Sequence, residues 1–256
     1  MQESIKIFQD ERFRPFEDSS PIPTEFSSAE NGWRYSRPFS FTSIEIGTVR
    51  GRNVALPLHF HDEDQVTFVL SGRRRFNFLG EQVEVIADSG VHIAAGVAHS
   101  SLDETSDMLC INLYLPAKWL DVSDLITELS IQRRRNGGLD RHLLMSILER
   151  TLRGRDSTES LGHPPILKLT ESITKAAHIH HMTREGFSRQ FKRHHGVTPQ
   201  AFKLVKRLNE ARRLLRAGVP IVTAASLAGF ADQSHLGRLF RRFFGVTPRQ
   251  YRCGSP

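Results

Sequence analysis

The stretch Phe187-Ser-Arg-Gln-Phe-Lys-Arg-His-His-Gly-Val-Thr-Pro-Gln-Ala-Phe202 is repeated, 49 positions later, as Leu236-Gly-Arg-Leu-Phe-Arg-Arg-Phe-Phe-Gly-Val-Thr-Pro-Arg-Gln-Tyr251. No other feature constrains the fold as much. Each copy reads as an amphipathic helix stopped by a glycine (Gly196, Gly245) and followed by a helix that a proline opens (Pro199, Pro248). Upstream the offset falls to 48, pairing Ala177 with Ala225 and His181 with Gly229, so the second copy has one more residue in its turn. A small residue where two helices cross, a tight turn and a polar cap (Thr183, Asp232) before the second helix describe a helix-turn-helix. Between the copies, residues 202–217 read as one long helix, with Leu204, Val205, Leu208, Ala211, Leu214 and Leu215 inward and Lys206, Arg207, Arg212 and Arg213 outward. Gly218 ends that helix and Pro220 opens the next.

Two such units on one chain can set two recognition helices in successive major grooves, roughly 34 Å apart, on one face of DNA. Charge agrees. Residues 165–256 hold 17 lysines and arginines against 4 acids, a net +13, while residues 1–164 hold 18 against 24, a net −6. A basic third on a mildly acidic remainder suits a polyanion-binding module. RNA fits that charge too, but two spaced recognition helices without aromatic stacking motifs favour double-stranded DNA. On the leading face of the second unit stand Gln233, Ser234, His235 and Arg238; on the first, Arg184, Glu185, Ser188 and Arg189. Arginine pairs with guanine and glutamine with adenine through two bonds each. Lys192, Arg193, Arg241 and Arg242 suit phosphates, which add affinity without reading sequence. Phe187, Phe191, Leu236 and Phe240 read as core. His181 in the turn and Gly186 within the recognition helix make the first unit the softer and less discriminating of the two. His178, His180, His181, His194 and His195 cluster in sequence, but no cysteine or carboxylate joins them, and the turn accounts for them better than a metal does.

The rest of the chain divides by period. Residues 1–40, with four prolines and several serines, read as an irregular arm with short edge segments. Residues 41–116 show short alternating strands separated by turns, the pattern of an antiparallel barrel or double-sheet jelly roll. Residues 117–153 turn helical, in two apolar-striped helices joined at Arg133-Arg-Arg-Asn-Gly-Gly138, and they either pack on the strands or form a dimerisation segment. Residues 154–165 suit a linker, and 166–256 hold the helix-turn-helix pair. The fold class is therefore α+β multidomain: an antiparallel β domain with two following helices, then an all-α DNA-binding domain. Arg73-Arg-Arg75 reads as an exposed hairpin, or as an anion site at the barrel mouth. No apolar run reaches 18 residues and no secretory signal opens the sequence, which points to the cytoplasm, with Cys110 and Cys253 as unpaired thiols.

The motifs Gly-Phe-Ala-Asp-Gln-Ser-His-Leu (229–236) and Arg-Leu-Phe-Arg-Arg-Phe-Phe-Gly-Val-Thr-Pro-Arg-Gln-Tyr (238–251) resemble the DNA-binding domain of the AraC/XylS family of bacterial transcription regulators. The resemblance covers residues 166–252 and implies sequence-specific DNA binding near promoters, control by a small-molecule effector, activation more than repression, contact with RNA polymerase, and a homodimer. The strand region is similar to a cupin through His59-Phe-His61, Gln65, Gly72 and Gly96-Val-Ala-His99. In metal-binding cupins the matching positions hold two histidines, a carboxylate and a later histidine; here Gln65 replaces the carboxylate, and Ala94 and Ala95 replace prolines. Strand alternation puts His59 and His61 on one side. His59, His61 and His99 with Gln65 then mark the effector pocket, where three histidines suit zinc, nickel or iron(II), a hydrogen-bonded effector, or the plain lining of a pocket. DNA binding itself requires no cofactor. The competing reading is a metal-dependent cupin enzyme carrying a DNA-binding domain; against it stand the missing carboxylate and the lack of an acid/base constellation.

Overall fold

A computed structural model of the chain describes residues 5–8, 31–38, 43–78, 80–117, 122–152 and 172–254. Among the described residues ten strands form two antiparallel sheets. They are β1 (Ile5–Phe8), β2 (Gly32–Ser36), β3 (Glu45–Gly51), β4 (Leu56–His59), β5 (Asp64–Ser71), β6 (Arg73–Phe78), β7 (Glu81–Ile86), β8 (Gly90–Ile93), β9 (His99–Ser101) and β10 (Met108–Leu115). The larger sheet runs β1-β8-β5-β10-β3-β2 and the smaller β4-β9-β6-β7. Between them lies a core that includes Val49, Val69, Phe76, Val85, Val91 and Cys110. The arm supplies both edges of the larger sheet, β1 on β8 and β2 on β3. The linker at 154–165 lies outside the described residues.

Helices α1 (Val122–Arg135) and α2 (Arg141–Leu152) close the outer face of the larger sheet. Leu125, Ile126 and Leu129 of α1 and Leu144, Ile147 and Leu148 of α2 share a cluster with Ile46, Val66, Phe68 and Ile111. Their apolar stripes therefore pack on the strands of their own chain. Covering the sheet on both sides explains why β10 is buried along its whole length. The basic run at 133–138 is not all loop, because Arg133, Arg134 and Arg135 form the last turn of α1, where cations oppose the helix dipole. Arg133 is also ion-paired with Asp88, a non-glycine residue at φ +63°.

The run Arg73-Arg-Arg75 departs from its reading as an exposed hairpin. Arg74 is 1% exposed and points inward from β6, where it donates to the carbonyls of Val54 and Leu102, each at 3.0 Å. Alternation along β6 forces this, since Arg74, Phe76 and Phe78 share the buried face. Arg75 lies on the other face and binds Glu104 at 2.9 Å.

The remaining helices are α3 (Ile173–Ile179), α4 (Arg184–His195), α5 (Pro199–Arg216), α6 (Ile221–Leu227), α7 (Gln233–Phe244) and α8 (Pro248–Cys253). The first helix-turn-helix unit, α3–α4, has a small core of Ala176, Ala177, Phe187 and Phe191. The second, α6–α7, belongs to a twenty-member cluster that runs through α5 and α8 into Tyr35, Phe60, Ala98 and Tyr114 of the N-terminal domain. Among the described residues no helix is long and apolar enough to cross a membrane.

Candidate nucleic-acid interface and buried histidine cluster

The two recognition helices begin alike. Thr183 accepts the Gly186 N–H at 3.0 Å and Asp232 accepts the His235 N–H at 2.7 Å, each holding its first turn open toward solvent. Both helices end on a left-handed glycine, Gly196 at φ +72° and Gly245 at φ +75°. On α4, Arg184, Glu185, Arg189, Lys192 and Arg193 are exposed and Ser188 is half-buried; on α7, Gln233, Ser234, Arg238, Arg241 and Arg242 are exposed. His235 is half-buried, its ring edge-on to Phe230 at 5.6 Å, so it is less free to reach a base than its neighbours. Phe187, Phe191, Leu236 and Phe240 are buried, and Ala177 and Ala225 sit buried on the first helix of each unit.

The turns differ as their residues require. His181 holds φ +53° where the second unit uses Gly229 at +77°. Gly186 is not in the helix interior. It is the third residue after the Thr183 cap, and a Cβ there would come 3.1 Å from the Thr183 hydroxyl oxygen, so the small residue leaves room for the cap.

His59, His61 and His99 come together inside the N-terminal domain, all buried, with ligand atoms within 4.8 Å of one another. β4 delivers His59, the turn after it delivers His61, and β9 pairs His99 directly opposite His59. His59 Nδ1 donates to the Pro57 carbonyl at 2.7 Å and His99 Nδ1 donates to the Val97 carbonyl at 2.9 Å. The Nε2 atoms of both therefore face inward unprotonated; His59 Nε2 lies 3.1 Å from His61 Nε2, and His99 Nε2 is buried without a partner. Burial, then the neighbouring imidazoles, hold His59 and His61 well below the usual histidine range; burial holds His99 at about 4. Three neutral imidazoles, two of them oriented by backbone carbonyls, form a donor set that fits a divalent first-row ion. Gln65 Nε2 donates to Thr67 at 2.9 Å and Asn112 at 3.2 Å, and its Oε1 is buried without a hydrogen-bond partner.

The two sites are joined in a way the helical pattern alone does not reveal: Arg212, expected to face outward, is 1% exposed. α5 buries two faces, one on the second helix-turn-helix unit and one on the N-terminal domain. Along the latter, Phe202 stacks on Phe60, Lys206 binds Asp62 at 2.6 Å, Asn209 donates to the Phe60 carbonyl at 3.1 Å, and Arg216 pairs with Glu63. Spacings of three and four residues keep these on one stripe. Arg212 is its centre. It pairs with Glu45 of β3, lies 3.5 Å from Glu63, stacks its guanidinium 4.2 Å from the Tyr114 ring centre, and reaches His61 Nδ1 at 3.3 Å. Tyr251 of α8 donates to the same Glu45 carboxylate. Burial opposes the charge on Arg212, but Glu45 and Glu63 outweigh it and raise its pKa well above the usual value. The signal for this lay in the stripe itself, because Arg212 falls between the apolar positions Ala211 and Leu215. The arm joins the same contact: the Tyr35 hydroxyl donates to the Phe244 carbonyl at 3.0 Å, Arg37 donates to the Arg216 carbonyl at 2.8 Å, and Trp33 lies where a Cβ on Gly245 would project.

Comparison with known proteins gives three kinds of match. The family described as "Helix-turn-helix domain" matches residues 176–253. The transcriptional activator RhaS of Escherichia fergusonii is 48% identical over 67 residues, 26% of this chain and 24% of that one, so the match spans about a quarter of the relative's length. LumQ of Photobacterium leiognathi, named as a probable transcriptional regulator, is 25% identical over 227 residues, covering 76% of this chain and 91% of that one. In overall fold, the crystal structure of an apo variant of ToxT from Vibrio cholerae superposes with a TM-score of 0.51 at 14% identity, covering 83% of this chain and 98% of that one. The duplicated helix-turn-helix and the double-sheet domain before it are thus similar to those of AraC/XylS-type regulators with a cupin-like N-terminal domain.

Proposed function

We propose that this chain regulates transcription, more as an activator than as a repressor, by binding a specific DNA site under the control of a ligand at the buried histidine cluster. The observation that supports this most directly is the hydrogen bond from Arg212 of the DNA-binding domain to His61 of the cluster, a direct path between a ligand site and a DNA reader. Gln233, Ser234 and Arg238 read bases in one major groove, with the half-buried His235 beside them. Arg184, Glu185, Ser188 and Arg189 meet the adjacent groove, and Lys192, Arg193, Arg241 and Arg242 hold phosphates. The donor set of His59, His61 and His99 favours zinc, nickel or iron(II) as the ligand, with Gln65 in the surrounding shell. RNA polymerase and a second copy of the chain are the proposed protein partners. Dimerisation through residues 117–153 would use the faces of α1 and α2 turned away from the sheet, where Ile131 is 37% exposed.

The test is selection of binding sites from random duplexes by the full chain, with and without zinc. Recovery of one extended, asymmetric site whose affinity changes with the ion supports the reading; affinity without sequence preference refutes it. A metal-dependent enzyme is the second reading, favoured only by the three histidines, and turnover of a bound small molecule would establish it.

A further inference from the structure

His61 stands between two claimants. The partners of each ring settle its tautomer. The Pro57 carbonyl can only accept, so His59 carries its proton on Nδ1 and leaves Nε2 bare. His61 Nε2, 3.1 Å from that bare nitrogen, must then be the donor. This leaves His61 Nδ1 bare, and it accepts from Arg212 Nη1 at 3.3 Å. The hydrogen bonds therefore run one way, from Arg212 to His61 to His59 to Pro57. His99 stands outside this chain with a free, buried Nε2.

We propose that His61 can serve either a divalent metal ion at the cluster or Arg212 of the DNA-binding domain, but not both, so that metal binding and docking of the DNA-binding domain oppose each other. This rests on the metal reading of the cluster given above. A metal takes a bare nitrogen. His59 and His99 already offer one, whereas His61 does not. For His61 to ligate through Nε2, the proton there must pass by way of solvent to Nδ1, the ring staying neutral. Nδ1–H then faces the N–H of Arg212, and an accepted bond becomes a meeting of two donors. If the ring turns and ligates through Nδ1 instead, Arg212 Nη1 loses His61 and keeps only Glu63, at 3.5 Å. Either way the loss falls on a guanidinium that is 1% exposed and that fastens α5 to Glu45 and Glu63. Buried donors left without acceptors are disfavoured, so the docked arrangement described above is the metal-free one.

By linkage, whatever loosens Arg212 must tighten metal binding by the same factor that metal loosens docking. The experiment titrates zinc into the full chain in a Trp119→Phe background, where Trp33, packed at Gly245, reports docking. Affinity comes from competition with a chromophoric chelator, and zinc held by exposed histidines is subtracted with His61→Ala. The expected results are loss of the tight site in His61→Ala, a zinc-dependent red shift of Trp33 emission in the parent, and zinc binding tighter by roughly 5- to 150-fold in both Arg212→Met and Glu45→Gln. Glu45→Gln is close in shape, leaves the cluster untouched, and decides the matter if Arg212→Met does not fold. If the parent binds zinc through His61 but neither variant binds it more tightly, the exclusion is overturned while the metal reading stands. If the parent and His61→Ala take up zinc equally, the metal reading fails and takes the exclusion with it.

Discussion

The two helix-turn-helix units have unequal support, and Phe191→Ala tests how unequal. Phe191 is 4% exposed and packs on Phe187, His195 and Phe202, with ring centres at 5.8, 4.3 and 5.3 Å. Truncating a buried phenylalanine to alanine costs about 3–5 kcal/mol. Among the described residues the buried core of the first unit is two phenylalanines and two alanines, with Ile173, Met182 and Phe202 partly buried against them. Burial of those two rings supplies roughly 3–6 kcal/mol, at about 1.5–3 kcal/mol each. The substitution therefore removes most of what holds α3 and α4 together, while the twenty-member cluster under α7 stays intact. Hydrogen exchange read by mass spectrometry is the assay. Amides of residues 173–195 should exchange faster by about two to three and a half orders of magnitude, taking 1.4 kcal/mol per decade. Amides of β5, β10 and α7 should keep their protection. Phe240→Ala, in the shared cluster at 0% exposure, should instead loosen α7, α8 and the contact with the N-terminal domain together. If Phe191→Ala lowered protection equally in α4, α7 and the sheets, the idea of a separate core would be wrong.

Other outcomes follow from single residues. Arg238→Ala should cost about 1–3 kcal/mol on the selected site and relax base preference there, whereas Arg241→Ala should weaken all sequences alike and reduce the salt slope by about one; Arg189→Ala relaxing preference as much as Arg238→Ala would contradict the view that the first unit discriminates less. Below neutral pH the metal-free chain should lose stability. His99 is held at about 4, below its ordinary 6.5, so the unfolded chain takes up the proton first; this stability is complete above pH 6.5 and falls as pH drops toward 4. The loss from His99 amounts to on the order of 3 kcal/mol by pH 4, and a melting series should be flatter in His99→Gln. A thiol reagent should titrate one cysteine in the folded chain and two in denaturant, because Cys253 is exposed while Cys110 is buried with its pKa pushed up to about 12.

Much of the fold could be read along the chain because its signals are local. The offset-49 repeat carries its caps, glycine stops and proline starts within each copy, and α3–α8 follow them. Alternation marked β6 and β7, and short apolar runs bounded by turns marked β5, β8 and β10. What was not legible depends on contacts far apart in sequence. β1 and β2 are too short and too close to prolines to be more than edge segments until β8 and β3 pair with them. Arginine is usually exposed, and only acceptors and aromatic faces supplied from elsewhere in the chain allow Arg74 and Arg212 to be buried. For Arg212 the paired acid, Glu45, is 167 positions away. His59, His61 and His99 were grouped from a family resemblance, and β4–β9 pairing is the physical reason they meet.

The shared cluster beneath α5 bears on how this protein can be cut and recombined. By sequence, the natural place to divide it is the polar stretch at 154–165, but the described residues before and after that stretch share one packed cluster. A fragment starting at residue 166 would carry Phe202, Phe244 and Tyr251 without Tyr35 and Phe60 to cover them, and Arg212 without its acids. Grafting this DNA-binding domain behind a foreign sensor would therefore mean transplanting the stripe Phe202, Lys206, Asn209, Arg212 and Arg216 together with its counterpart on β3 and the turn after β4. Swapping the reader alone is expected to give a sticky, poorly folded product, even though every helix of the reader is present.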